Sequence, residues 1–290
     1  MSIRLTIAGF LLALGSCTQP GPPPPSGPPK FDVGNPFLSN GEWEYPQNFA
    51  SYDTTGLSMV LNEPKGAITA DNEAYDPGAL QAASAVLQLP AIVTITNLVT
   101  GRRVDVRVND RLTGSPGRLI GVTPQVASLL GFPTDGVVEI EVALNVQQTS
   151  ALDGSLGEGP KLTAAPVAGI QAQSLAPPGQ SAPSGPAQDL SVQASANAAP
   201  DPAQLSGTVT LVQPAPGPLW VEIPGFGRSG DADQTLQQLY GLPASVMPVF
   251  GGDRTLYAIK IGPYHSVQDA DAALQAVLQR GVSDPEIIVR

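Results

Sequence analysis

The placement of proline decides where this chain can fold. Proline donates no backbone hydrogen bond and fixes its own φ, so a proline-dense stretch builds neither sheet interior nor helix. The 290 residues contain 31 Pro and 31 Gly, and the prolines cluster. Pro22 to Pro25 and Pro28-Pro29 fall in residues 17–43, which read as a polyproline tether. Extended at ~3.1 Å per residue, it would hold a domain up to roughly 70 Å from its origin. Residues 146–214 are Ala, Pro, Gln, Ser and Gly without sustained apolar periodicity, the composition of a disordered linker. Random-coil scaling gives that linker a span of roughly 45 Å, so its two ends are expected to search separately. Two folded regions remain, residues 44–145 and 215–290, each with a small core of its own.

Residues 1–16 place Arg4 before an apolar run from Leu5 to Leu14, a secretory signal peptide too short to span a bilayer. Cys17 is the sole cysteine, which rules out an intramolecular disulfide. Leu14-Gly15-Ser16-Cys17 resembles the lipobox of bacterial lipoproteins, which implies lipidation at Cys17. Thr18 follows it where an aspartate would signal inner-membrane retention, so the resemblance implies an outer-membrane lipoprotein facing the periplasm. A net charge of −11 argues against a nucleic-acid partner.

Residues 101–131 combine a strand, a turn and a helix. Val104, Val106 and Val108 alternate with Arg103, Asp105 and Arg107, the period of a strand with one buried and one wet face. Counting on by twos reaches Asp110, a carboxylate of buried parity at the strand end. Partial desolvation would keep its proton to higher pH, as a general acid requires. Thr123 reads as an N-cap, Pro124 as the first helical residue and Gly131 as the C-terminal stop. Of the 14 Lys and Arg, five lie here, at Arg102, Arg103, Arg107, Arg111 and Arg118. That excess suits an anionic ligand and equally suits a solvated strand face.

Short β-rich runs at residues 91–96, 103–108 and 137–144, with the helix between the last two, read as a small β-barrel. Asn97 and Thr100-Gly101 supply the first hairpin turn. Ile92 to Leu98, Gly101-Arg102, Val106 to Arg111 and Gly117 to Ile120 together resemble the rare lipoprotein A family over about residues 49–145. The resemblance implies a six-stranded, expansin-like double-psi β-barrel and lytic transglycosylase activity on peptidoglycan. Thr69-Ala70-Asp71-Asn72-Glu73 is similar to the family's Thr-Ala-Asn-Gly-Glu, which places the family glutamate at Glu73. Its aspartate falls on Asp110 and its histidine on Ser84, within Ala82-Ala83-Ser84. The resemblance thus implies Asp110 as acid and base, with Glu73 and Ser84 orienting substrate and Arg107, Arg111 and Tyr75 in contact with it. That chemistry calls for no cofactor and no metal. A serine carries no proton at neutral pH, and the sole histidine, His265, lies in the other folded region.

Residues 215–290 give strand, helix, strand, strand, helix, strand at 219–223, 231–240, 244–250, 255–261, a helix capped by Ser266 and ended by Gly281, and 286–289. This βαββαβ order is the ferredoxin-like split motif. Ile259 to Tyr264 and the following Ala-rich helix resemble the SPOR domain, which implies binding to septal glycan strands that have lost their peptide stems. Two functional readings follow: an outer-membrane lytic transglycosylase acting on peptide-free glycan strands at the septum, or a non-catalytic wall-binding lipoprotein in which Ser84 marks the lost chemistry. Division proteins are further expected partners.

Overall fold

A computed structural model describes residues 26–39, 42–133, 136–156, 205–251 and 254–290. The signal peptide and Cys17 lie outside these residues, as does most of the linker, at 157–204. A small hairpin, β1 (Phe37–Ser39) and β2 (Glu42–Glu44), precedes the barrel. The barrel strands are β3 (Asp53–Val60), β4 (Gln81–Ala83), β5 (Ala91–Asn97), β6 (Arg102–Asp110), β7 (Ile120–Val122) and β8 (Val138–Leu144), with α1 (Pro124–Leu130) between the last two.

These six strands run β4-β7-β3-β8-β5-β6, and β6 also pairs with β4, which closes the ring. Closure leaves no bare edge among them. The pairs β3–β7 and β4–β6 are parallel and the others antiparallel. Valine and isoleucine dominate because their branched side chains pack on a pleated, half-buried surface. Val93, Ile95, Val104, Val106, Val108, Val122, Ile140 and Val142 form the interior. Asn97 turns the β5–β6 connection, its side-chain oxygen accepting from the Val99 amide at 2.9 Å and the Thr100 amide at 3.2 Å.

α1 ends on Gly131 in the left-handed conformation (φ 72°) and has Pro124 in its first turn. Thr123 occupies the N-cap position without capping: its hydroxyl donates to the Ala79 carbonyl at 2.6 Å, tying the helix to the segment before β4.

Beyond the ring, α2 (Val146–Ser155) and β9 (Thr210–Leu211) form within the stretch expected to be linker. α2 is capped by Asn145, whose side chain accepts from the Gln148 amide at 3.1 Å. β9 pairs with the start of β6, and the next residue, Val212, donates to the Gly101 carbonyl at 2.8 Å. A Cβ at Gly101 would stand 2.1 Å from the Val212 carbonyl oxygen, and φ is 71°, so glycine alone fits this crossing.

The C-terminal unit is β10 (Leu219–Phe226), α3 (Ser229–Gln238), β11 (Ala244–Gly251), β12 (Arg254–Tyr264), α4 (Val267–Leu278) and β13 (Glu286–Val289). Its antiparallel sheet, ordered β11-β12-β10-β13, reproduces the split βαββαβ arrangement. Ser266 caps α4 in a reciprocal pair with Asp269, accepting from its amide at 3.1 Å and donating to its carboxylate at 2.7 Å.

This unit has its own sheet, yet it packs on the barrel. Leu57 and Leu98 of the barrel join its apolar core. Thr55 Oγ1 donates to the Val289 carbonyl at 2.7 Å, and Arg118 makes two 2.7 Å hydrogen bonds to the Asp271 carboxylate. These contacts join the two folded regions that composition predicted.

Candidate functional site

The site is built where the β6 end meets the loop carrying residues 69–73. β4 and β6 pair Gln81 with Arg107, Ala82 with Val108 and then Ala83 with Asp110, so Asn109 is an extra residue on β6. A bulge breaks strict alternation and re-aims the side chains around it. Counting by twos to Asp110 assumed an unbroken ladder, and the expected wet face is also covered: Arg107 is 8% exposed and Asn109 1%.

The 69–73 loop is a tight turn. The Asn72 amide donates to the Thr69 carbonyl at 2.9 Å, and Asn72 itself has φ 78°, a conformation that asparagine tolerates better than other side-chain-bearing residues. Thr69 Oγ1 donates to Asp71 Oδ1 at 2.7 Å and accepts from the Glu73 amide at 3.0 Å. Two backbone contacts seat the loop on β6: Ala70 N to Asp110 Oδ1 at 3.0 Å, and Asp71 N to the Asn109 carbonyl at 3.2 Å.

This geometry divides the two carboxylates singled out in the sequence. Asp110 is half-buried, and both its amide partners, Ala70 at 3.0 Å and Arg111 at 2.8 Å, fall on Oδ1. Among the described residues, Oδ2 is left to hold a proton. Burial pushes the Asp110 carboxyl above the usual carboxylate range, against the lowering effect of the two amides. Glu73 is engaged on both oxygens: Asn109 Nδ2 donates to Oε2 at 2.9 Å, and Arg107 Nη2 lies 2.8 Å from Oε1. That second contact is an ion pair off the N–H axis, for neither Nη2 nor Nε of Arg107 has a hydrogen-bond acceptor among the described residues.

Arg107 also faces Asp71 Oδ2 at 3.7 Å, so one guanidinium serves two carboxylates. Asp71 is fully buried, and burial raises its carboxyl to about 6, helped by the Glu73 charge and opposed by the Thr69 hydroxyl bond. Glu73 and Arg107 line a groove of about 1020 Å³, together with Gln81 of β4 and Gln125 of α1. Three segments outside the ring contribute to its wall: Ser26 and Gly27 before the hairpin, Leu152, Ser155 and Leu156 at the end of α2, and Leu205 to Gly207 before β9. Asp110 lies outside that lining.

Relatives with this organisation are known. Residues 215–288 match the SPOR domain. The endolytic peptidoglycan transglycosylase RlpA of Pseudomonas aeruginosa strain UCBPP-PA14 is 27% identical over 269 residues, covering 88% of this chain and 76% of the relative. Over most of its length the chain is similar to RlpA. The protein of the same name from Yersinia pestis is 34% identical over 163 residues, spanning 56% of this chain and 44% of the relative. The Escherichia coli K12 protein is 34% identical over 151 residues, or 50% and 40%. The closed six-stranded ring agrees with the barrel that the sequence resemblance implied.

Around the RlpA-like cleft, the remaining residues expected to act are used for structure. Ser84 is 1% exposed, and its hydroxyl accepts from the Val86 and Leu87 amides, both at 3.3 Å. Only its backbone meets the site, the Ser84 amide donating to the Asp110 carbonyl at 3.0 Å. Tyr75 is buried at 3% exposure with its hydroxyl 3.5 Å from the Leu61 carbonyl, so it packs beneath the loop rather than lining the groove. Arg111 turns away and ties down the N-terminal segment, donating to the carbonyls of Leu87, Asp32 and Val33. The five arginines do not converge: Arg103 pairs with Glu141 at 3.6 Å, Arg118 with Asp271, and Arg107 alone of the five lines the groove. Asp71 went unremarked in the sequence although it stands two residues before Glu73. Its one signal was the Thr-x-Asp spacing with Thr69, the pattern of a locally bonded turn.

Proposed function

We propose that this chain is a lytic transglycosylase of peptidoglycan, as the names of its RlpA relatives suggest, and that its substrate is the peptide-free glycan strand. The observation that carries the reading is the unlike setting of the two carboxylates. Asp110 is desolvated with one oxygen unbonded among the described residues, whereas Glu73 accepts from Asn109 on one oxygen and is ion-paired with Arg107 on the other. A desolvated carboxyl with a free oxygen suits proton delivery, and an ion-paired one suits stabilisation of developing positive charge.

In the reaction, Asp110 delivers its proton to the bridging oxygen as the C–O bond from the MurNAc anomeric carbon to that oxygen breaks. The developing positive charge on the sugar ring is offset by the Glu73 carboxylate. The sugar's own 6-hydroxyl closes on the anomeric carbon and returns its proton to Asp110, giving a 1,6-anhydro end. Water enters nowhere, so a single proton-carrying carboxyl suffices, in contrast to the water-activating pair of a hydrolase. On this reading, Cys17 anchors the protein in the outer membrane facing the periplasm, and the SPOR domain concentrates it on septal strands, beside the division machinery.

Incubation with peptide-free glycan strands followed by mass spectrometry tests the reading. Anhydro-ended products are expected, and Asp110→Asn lowers their formation about 10²- to 10⁴-fold, the usual contribution of a positioned acid. Product formation undiminished in Asp110→Asn would remove the assignment of the acid. A second reading is favoured by Ser84, whose hydroxyl is committed to two amides and leaves the family histidine's place without a proton carrier. Retained binding with no anhydro product identifies the chain as that non-catalytic wall binder.

A further inference from the structure

One guanidinium in the cleft is short of hydrogen bonds. Arg107 is buried, and among the described residues neither its Nη2 nor its Nε has an acceptor. Asp71 Oδ2, 3.7 Å from that Nη2, is likewise buried without a donor. Unpaired buried donors and acceptors are costly, and here they stand side by side. The other Asp71 oxygen is already engaged, accepting from the Thr69 hydroxyl at 2.7 Å and the Glu73 amide at 3.2 Å. An asparagine oxygen would accept the same two bonds, so the local turn does not account for a carboxylate at this place. On its other side, Nη2 lies 2.8 Å from Glu73 Oε1, again off the N–H axis. Directional bonds lock the guanidinium to neither carboxylate, and the balance of the two attractions sets where it sits.

We infer that Asp71 is a positioning residue for the cleft, acting through Arg107 to set how much of the Glu73 charge is left for the substrate. The inference rests on the transglycosylase reading for the role of Glu73, and it adds a residue that never touches the sugar. Glu73 and Arg107 line the groove, whereas Asp71 is fully buried behind them and outside its lining.

With Asp71 ionised, one cation is shared by two anions. The trio is then negative overall, and Glu73 offsets positive charge developing on the sugar ring. With Asp71 protonated, Arg107 belongs to Glu73 and the pair is neutral. Burial places the change near pH 6. The charges that act on Asp71 are Glu73 on its own loop and Arg107 on β6. Asp110, whose Oδ1 accepts from the adjoining Ala70 amide, responds instead to Glu63 and Arg111.

Two readouts on the full chain test this. With nitrogen-labelled arginine, the Arg107 Nε–H resonance, assigned by its loss in Arg107→Lys, is expected to shift in one step centred near pH 6. Asp71→Asn abolishes that step and Asp110→Asn leaves it. Thr69→Val moves it to higher pH, because the Thr69 hydroxyl bond favours the charged form of Asp71. In cleavage of peptide-free strands, Asp71→Asn lowers kcat about three- to tenfold at about pH 7.5 with KM little changed. At about pH 4.5, where Asp71 is already protonated, the variant matches the wild type. A deficit equal at both pH values, or an Arg107 step that survives Asp71→Asn, overturns the inference. Absence of anhydro product from both proteins rejects the transglycosylase reading, and the Arg107 step then decides by itself whether Asp71 is coupled to the cleft.

Discussion

Replacing Asp71 by asparagine isolates what it costs the fold to keep a carboxylate behind the cleft. In the unfolded chain Asp71 titrates near 3.8, and in the fold near 6, chiefly because burial disfavours its charge. Between those values the native state binds more protons than the unfolded state. Stability conferred at this position is therefore complete below about pH 3, falls as pH rises, and levels off above about pH 7. At about 1.4 kcal/mol per pH unit, the interval from 3.8 to about 6 amounts to about 3 kcal/mol. An asparagine side chain cannot ionise, so the Asp71→Asn variant lacks that slope. Its amide keeps an oxygen for the Thr69 hydroxyl and the Glu73 amide but places a donor near Arg107, an offset independent of pH. Urea unfolding of both proteins at pH 4, 5, 6 and 7.5 is the assay. Asp153 and Glu286 also titrate near 6, but they are common to both chains and cancel in the difference. The variant should gain about 2 kcal/mol on the wild type between pH 4 and 7.5, the remainder of the interval lying below pH 4. A difference constant within about 0.5 kcal/mol, the ordinary scatter of such comparisons, would refute the burial of an ionising Asp71.

Three further substitutions probe neighbouring contacts. Ser84→Ala leaves the Val86 and Leu87 amides without their acceptor in a buried place, and calorimetry should show a loss of about 1 to 3 kcal/mol. Arg111→Ala releases Asp32 and Val33, so limited proteolysis should cut ahead of β2 well before it cuts the barrel. Gly117→Ala would place a Cβ 2.6 Å from Leu274 and 3.0 Å from Ile287, at φ 71°. The SPOR domain should then leave the barrel, and small-angle scattering should report a larger radius of gyration with both units still folded.

Local chemistry made the elements legible. The Val–x–Val alternation of β6, the Asn97 turn, Pro124 and Gly131 around α1, and the Ser266–Asp269 cap each act within a few residues, and each is present. The βαββαβ order could likewise be read from periodicity alone. β4 could not: three residues, Gln81 to Ala83, carry no period, and they become a strand because β6 and β7 flank them. The same closure inserts the bulge at Asn109, which decides how Asp110 and Arg107 face.

The sequence by itself determined which residue types stand at the end of β6 and in the 69–73 loop. Tertiary structure alone decided their duties: Asp110 desolvated with both amides on one oxygen, Glu73 held at both oxygens, Ser84 engaged by backbone amides, and Asp71 buried behind Arg107. The physical reason is range. Caps and turns are settled by neighbours in the chain, whereas burial and charge pairing are set by residues such as Asp71 and Arg107, 36 positions apart, which meet only when the ring closes.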